Sequence, residues 1–265
     1  MISLIATDID GTLLDNENRL PAANRAAIHA AVAQGVRFAL VTARKGSTTR
    51  RVADQVGVPC ALIAHNGARI WDWDGTSLAN WTLPLDVTLA VADFADEHAI
   101  PLLLTIDEVN YYGPQYPRQF GAATADDRST LTNRAAVVGV PTRIITVGED
   151  NINTLTAAFG TVNDTLVLHR YYTRLGAMYS AVITHTQANK ATALATLCRH
   201  NAIAAEAVLA LGDAEADVPM LRWAGTGVAM SNGMDEAIAA ADWLAPPHTE
   251  EGFARAVERF VLGTY

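Results

Sequence analysis

Asp8, Ile9, Asp10, Gly11 and Thr12 follow directly on a short apolar, β-prone run, Ile2–Thr7. Residues i and i+2 leave a strand on the same side, so the loop beyond it must splay both carboxylates around one point. Adjacent carboxylates repel unless a cation or a shared proton holds them, and a hard ion such as Mg2+ is the natural partner. One of the two acids could be a nucleophile that forms an acyl-phosphate. The other could be a general acid and base one step away. Taken alone, the same residues also suit an Asp-rich turn with Gly at positive φ.

Three further positions bear on that choice. Thr42 closes the apolar run Val36–Val41. Its hydroxyl and a nearby backbone N–H could meet a phosphoryl oxygen at the head of a helix whose dipole favours anions; an ordinary helix N-cap is the alternative. Lys190 falls near a helix start, where the dipole disfavours a cation unless an anion is at hand. A phosphate flanked by Asp8 would be that anion, and a solvated surface lysine is the alternative. Gly212-Asp213 and Asp217 place two acids at a strand terminus, as extra oxygen ligands for Mg2+ or as helix-start caps. Four such features in order along one sheet edge favour the chemical reading over four unrelated caps and surface charges.

The elements that must position these residues read as strand–helix–strand–helix–strand. Ile2–Thr7, Val36–Val41 and Cys60–Ala64 are the strands; helical patterns run over Ala22–Gln34 and Ser47–Val56. That alternation predicts a parallel sheet with right-handed crossovers, whose ligands sit at the carboxyl ends of the strands. The pattern returns after residue 186, with a helix over Lys190–His200, strands over Ala207–Leu211 and Gly227–Met230, and a terminal helix over Glu251–Leu262. Between them the texture changes. Strand-like runs appear at Trp81–Leu83, Leu102–Ile106, Arg143–Val147, Thr165–Arg170 and Tyr179–Thr184, with helical patterns over Asp86–His98 and Asn151–Phe159. The fold class is therefore α/β: a Rossmann-like parallel-sheet core over 1–81 and 187–265, interrupted by an α+β unit over 82–186.

The 265 residues carry a net charge of −9, with half of them apolar and 18% charged. This excludes an intrinsically disordered chain. The acidic balance disfavours a nucleic-acid or anionic-membrane surface, and no apolar stretch approaches the roughly 18–20 residues of a membrane span. Any positive charge that meets an anionic ligand must be local. Cys60 and Cys198 read as free, buried thiols in a reducing compartment. The N-terminus lacks the basic and apolar regions of a signal peptide, so the expected location is the cytoplasm. A monomer or small homo-oligomer is expected. No His or Cys spacing suggests zinc, and Gly225-Thr226-Gly227 lacks the dinucleotide fingerprint.

Asp8-Ile9-Asp10-Gly11-Thr12-Leu13-Leu14 resembles motif I of the haloacid dehalogenase superfamily, and Thr42, Lys190 and Gly212-Asp213…Asp217 resemble its motifs II, III and IV. Asn66-Gly67-Ala68 and Gly227–Asn232 are similar to stretches of the Cof-type, subclass IIB phosphatases, whose α+β cap matches the insert in place and size. The resemblance implies a phosphatase acting on a small phosphorylated metabolite, with sugar phosphates as the expected class. By the same resemblance Asp8 is the nucleophile and Asp10 the acid and base. Asp8, the Asp10 backbone carbonyl and Asp213 hold Mg2+, supported by Asp217, while Thr42, Ala43 and Lys190 hold the phosphoryl oxygens. Asn66 supports the site. The chain departs from the family at Ala43 and Ala191, where Gly is usual, and at Ala216, where an Asn contacts the phosphate. Losing that contact costs about 0.5–1.5 kcal/mol. A phosphomutase, a sugar-conjugate phosphatase or a weakly catalytic sensor that keeps the fold are the alternatives. Arg44 and Lys45 read as solvated cations at a helix start, with reach to a substrate phosphate as the alternative, the Tyr111–Arg118 run as a substrate loop or insert packing, and His185 as structural or exposed, with the mouth of the site as the alternative.

Overall fold

The computed structural model describes residues 1–117, 126–160, 165–172 and 178–264. They form two compact units, Met1–Asn80 with Ala188–Tyr265, and Trp81–Gln187. The first unit begins with β1 (Leu4–Thr7), α1 (Ala22–Ala33), β2 (Arg37–Val41), α2 (Gly46–Val56), β3 (Cys60–Ala64), β4 (Arg69–Trp71) and β5 (Ser77–Asn80). The second contains α3 (Leu85–Glu97), β6 (Leu103–Ile106), β7 (Val109–Tyr112), β8 (Arg128–Ser129), β9 (Arg143–Val147), α4 (Glu149–Phe159), β10 (Leu166–Tyr172) and β11 (Met178–His185). The chain returns to the first unit with α5 (Lys190–His200), β12 (Val208–Gly212), α6 (Val218–Trp223), β13 (Thr226–Met230), α7 (Asp235–Ala240), β14 (Trp243–Ala245) and α8 (Gly252–Val257).

The first unit is an eight-stranded sheet in the order β14-β13-β12-β1-β2-β3-β4-β5. The strands from β14 to β3 are parallel, and β4 and β5 add an antiparallel edge. A strand buried on both faces needs apolar residues at consecutive positions, which Leu4-Ile5-Ala6 supplies. Ile5, Phe38, Leu40 and Leu209 pack on one side with Ile28 of α1 and Phe253 of α8. Leu4, Ala39 and Val41 pack on the other with Leu194 of α5 and Met220 of α6. The order of the sheet positions the site. β1 lies between β2 and β12, with Thr7 level with Leu40 and Leu211, so the loops leaving these three strands emerge side by side.

The second unit is a six-stranded sheet, β10-β11-β9-β6-β7-β8, antiparallel except between β7 and β8. One face buries Leu104, Ile144 and Ile183 with Val91 and Ala95 of α3 and Leu155 of α4. Three details differ from the sequence expectation. The strand expected at Trp81–Leu83 lies earlier, at Ser77–Asn80, and Leu83 is a buried anchor whose N–H donates to the Pro141 carbonyl. β7 was hidden because its hairpin turns through Asp107 and Glu108, both at positive φ without a glycine to mark the turn. The short β4, β8, α7 and β14 escaped for want of length. Of the Tyr111–Arg118 run, Tyr111 and Tyr112 belong to β7 and Tyr116 is buried, while Arg118 lies outside the described residues. Among the described residues no helix is long and apolar enough to cross a membrane.

Candidate active site

Asp8 follows β1, and its N–H donates to the Leu211 carbonyl at 2.9 Å, continuing the sheet ladder by one residue. This holds the carboxylate at the sheet's edge, 6% exposed. Lys190 is the first residue of α5, whose N-cap Asn189 accepts from the Thr192 N–H at 2.8 Å. Gly67 fixes where that helix begins: its φ is 102° and an added Cβ would strike the Asn189 backbone. Lys190 is buried, not a solvated surface lysine. Its Nζ donates to Asp8 Oδ1 at 2.6 Å and to Asp217 Oδ1 at 2.5 Å. The other Asp217 oxygen accepts the N–H groups of Asp213 and Ala214 at 3.0 and 2.9 Å. Both oxygens of Asp217 are thereby committed to holding Lys190 and the loop after β12.

Asp213 is pinned from the opposite side of the chain. Thr12 Oγ1 donates to Asp213 Oδ1 at 2.8 Å, and the Met234 N–H donates to the Asp213 carbonyl at 2.7 Å. Oxygens of Asp8, Asp213 and Asp217 lie within 4.8 Å of one another. Burial pushes the Asp8 carboxyl well above the usual carboxylate range; Lys190 opposes this, and Asp217, Asp213 and Asp10 add to it. Burial, then Asp217, raises Asp213 to about 6. Burial alone would lower the Lys190 ammonium, but Asp217 and Asp8 together raise it. Three carboxylates with one buried ammonium leave an excess of negative charge, and Asp8 Oδ2 and Asp213 Oδ2 have no donor among the described residues. A compact set of hard oxygen donors around such a deficit fits Mg2+.

The remaining predicted residues lie just past the ends of β1, β2 and β3. Thr42 is 1% exposed; its N–H donates to the Ile63 carbonyl, and its carbonyl accepts from the Asn66 N–H at 3.0 Å. Ala43 is exposed beside it. Asn66 is buried at φ 61° in the turn after β3. Asp10 stands apart from the buried acids: its side chain is 58% exposed and forms an ion pair with Arg44. The expectation of solvated cations at Arg44 and Lys45 is overturned. Asp10 claims the first, and the second is only 3% exposed.

Sequence reasoning missed two supporting residues. Thr12 holds Asp213 across 201 positions of chain, and no local pattern announces such a contact. Asn232 Nδ2 donates to the Gly11 carbonyl at 3.0 Å; the residue ends the Gly227–Asn232 stretch, whose resemblance gave it no role of its own. Gly11 itself sits at φ 78° with the Asp213 carboxylate where a Cβ would project. Gly11→Ala is expected to cost about 1–2 kcal/mol of backbone strain and to displace Asp213. Thermal unfolding and Mg2+ titration of the variant check both effects.

A profile described as haloacid dehalogenase-like hydrolase matches residues 5–257. The chain belongs to that family. The hydrolase is 28% identical over 266 residues to the 5-amino-6-(5-phospho-D-ribitylamino)uracil phosphatase YcsE of Bacillus subtilis, across 98% of this chain and 96% of that one. It is 25% identical over 261 residues to a phosphoglycolate phosphatase of Methanobrevibacter smithii, across 98% and 99% of the two chains. Among solved structures it resembles BT4131, a sugar phosphatase of haloacid dehalogenase subclass IIB. The TM-score is 0.83 at 22% identity, over 99% of this chain and all of that one. The Rossmann-like α/β core is the fold of this family.

Proposed function

We propose that this haloacid dehalogenase-type phosphatase hydrolyses a small phosphorylated metabolite, a sugar phosphate by class, with Mg2+ and through an aspartyl-phosphate on Asp8. The observation that carries the reading is the buried Asp8–Lys190–Asp217 arrangement, with Asp213 beside it. Lys190 fixes one Asp8 oxygen and leaves the other as the attacking atom. The new bond joins that oxygen to phosphorus as the bond from phosphorus to the leaving oxygen breaks. Asp10 gives the leaving oxygen a proton, then takes one from the water that cleaves the aspartyl-phosphate. Thr42, the backbone at Ala43, and Lys190 hold the phosphoryl oxygens, and the buried ammonium offsets charge that develops on them. Asp8, the Asp10 carbonyl and Asp213 would hold Mg2+, with Asp217 and Asn66 in support. The ion supplies further charge neutralisation for the phosphoryl group. Ala43, Ala191 and Ala216 leave this machinery in place; Ala216 removes one phosphate contact, and the backbone N–H groups at Ala43 and Ala191 are those a glycine would offer. The inserted unit serves as the cap domain that selects the leaving group.

The test is phosphate release from a panel of sugar phosphates and an aryl phosphate, in Mg2+ and in EDTA. Release that requires Mg2+ and favours sugar phosphates is the expected result. No release from any ester, or isomerised sugar phosphate without free phosphate, overturns the reading.

A further inference from the structure

The geometry points to Arg44 as a positioning residue that, with Asn18, sets the direction of the Asp10 carboxylate; this rests on the proposed role of Asp10 as acid and base. Asp10 is the one carboxylate of the site that is exposed rather than buried or half-buried. Its side chain is 58% exposed, and a carboxylate so exposed would explore several rotamers. Arg44 removes that freedom. Its Nε donates to Asp10 Oδ2 at 2.8 Å and a terminal guanidinium nitrogen donates to Asp10 Oδ1, so the planar fork takes both oxygens. The same terminal nitrogen donates to Asn18 Oδ1 at 2.6 Å.

Arg44 is itself fixed at the main chain. Its N–H donates to Thr42 Oγ1 at 3.1 Å, and its carbonyl accepts from the His65 N–H at 2.9 Å. Asn18 is held in a turn of its own: its N–H donates to the Asp15 carbonyl, and Asp15 Oδ1 accepts from the N–H groups of Glu17 and Arg19. The arm therefore joins the loop after β1 to the loop after β2. An ion pair this exposed adds little to stability, at most about 1 kcal/mol. Orientation is what a two-point fork can supply here, and an acid–base step is sensitive to orientation.

The experiment compares Arg44→Met, Arg44→Lys, Asp10→Asn and the Arg44→Met/Asp10→Asn double variant, in Mg2+, on an alkyl phosphate and on 4-nitrophenyl phosphate. An alkoxide needs a proton to leave, whereas 4-nitrophenolate leaves unaided. Arg44→Met is expected to lower kcat for the alkyl ester by about 10–100-fold with KM within about twofold, and to lower kcat/KM of the aryl ester less, because the water step that both esters share enters kcat and not kcat/KM. Arg44→Lys, which cannot fork, falls between. On the Asp10→Asn background, Arg44→Met is expected to change nothing further, because the two residues act as one unit. A raised KM at unchanged kcat would make Arg44 a substrate contact and overturn the inference, as would full additivity with Asp10→Asn. An impaired Asp10→Asn beside an unimpaired Arg44→Met sinks the role of Arg44 alone. A fully active Asp10→Asn sinks the acid–base reading beneath it. Thermal unfolding confirms that each variant is folded, and Arg44→Lys carries the same comparison if Arg44→Met is not.

Discussion

Asp8→Asn is expected to abolish Mg2+-dependent phosphate release, by about 10⁴-fold or more, while the protein stays folded. The two halves of that expectation have different causes. Activity is lost because an amide has no anionic oxygen with which to attack phosphorus. Stability survives because Lys190 keeps its second partner, Asp217, at 2.5 Å. The substitution also removes one of three carboxylates crowded within 4.8 Å. Like charges that close raise each other's free energy, so the melting temperature is expected to hold or rise. Phosphate release and a thermal melt on the same preparation check both halves. A variant that turns over normally overturns the nucleophile assignment.

The second large effect is expected at Lys190, and there stability and activity fall together. Lys190→Met leaves Asp8, Asp213 and Asp217 facing one another with no cation among them, two of the three being almost fully buried. Breaking a buried ion pair from one side costs about 3–5 kcal/mol, because the stranded charge has neither partner nor water. The methionine fills much the same volume, so packing contributes little to that loss. Mg2+, bound as proposed to the folded state alone, is expected to recover part of the stability. Turnover is expected to remain down by about 10²–10³-fold even with Mg2+, since the donor proposed to steady the phosphoryl oxygens is gone. Denaturant unfolding with Mg2+ and with EDTA, beside turnover, separates the two contributions. Unchanged stability in EDTA would contradict the pairing described here.

Much of this was legible in the chain, and the reasons are local. Leu4-Ile5-Ala6 and Phe38–Val41 are uninterrupted apolar runs ending in polar residues, the mark of a strand buried on both faces and open at one end. Asp8, Thr42 and Asp213 could be found because each stands just past such a run. Contacts made across long sequence separations could not be found. Thr12 and Asp213 meet only because β1 and β12 are neighbours, and nothing at either residue says so. Arg44 looks like any basic residue at a helix start until Asp10, 34 positions earlier, is seen to face it. Lys45 has the composition signal of a surface lysine, and only its burial just before α2 sets it apart. In the inserted unit, the Asp107–Glu108 turn reaches positive φ without the glycine that would have advertised it.

The placement of β1 between β2 and β12 also bears on how the chain is made. A ribosome delivers β1, β2 and β3 early and β12 only after the whole inserted unit has been synthesised. Until residues 208–212 arrive, one edge of β1 presents unpaired backbone groups flanked by Leu4 and Ile5. Asp8 meanwhile lacks Lys190, Asp213 and Asp217, so the buried cluster does not yet exist in the nascent chain. The cluster is completed only in the last stage of assembly, and until then that edge of β1 is open to pairing with any other strand.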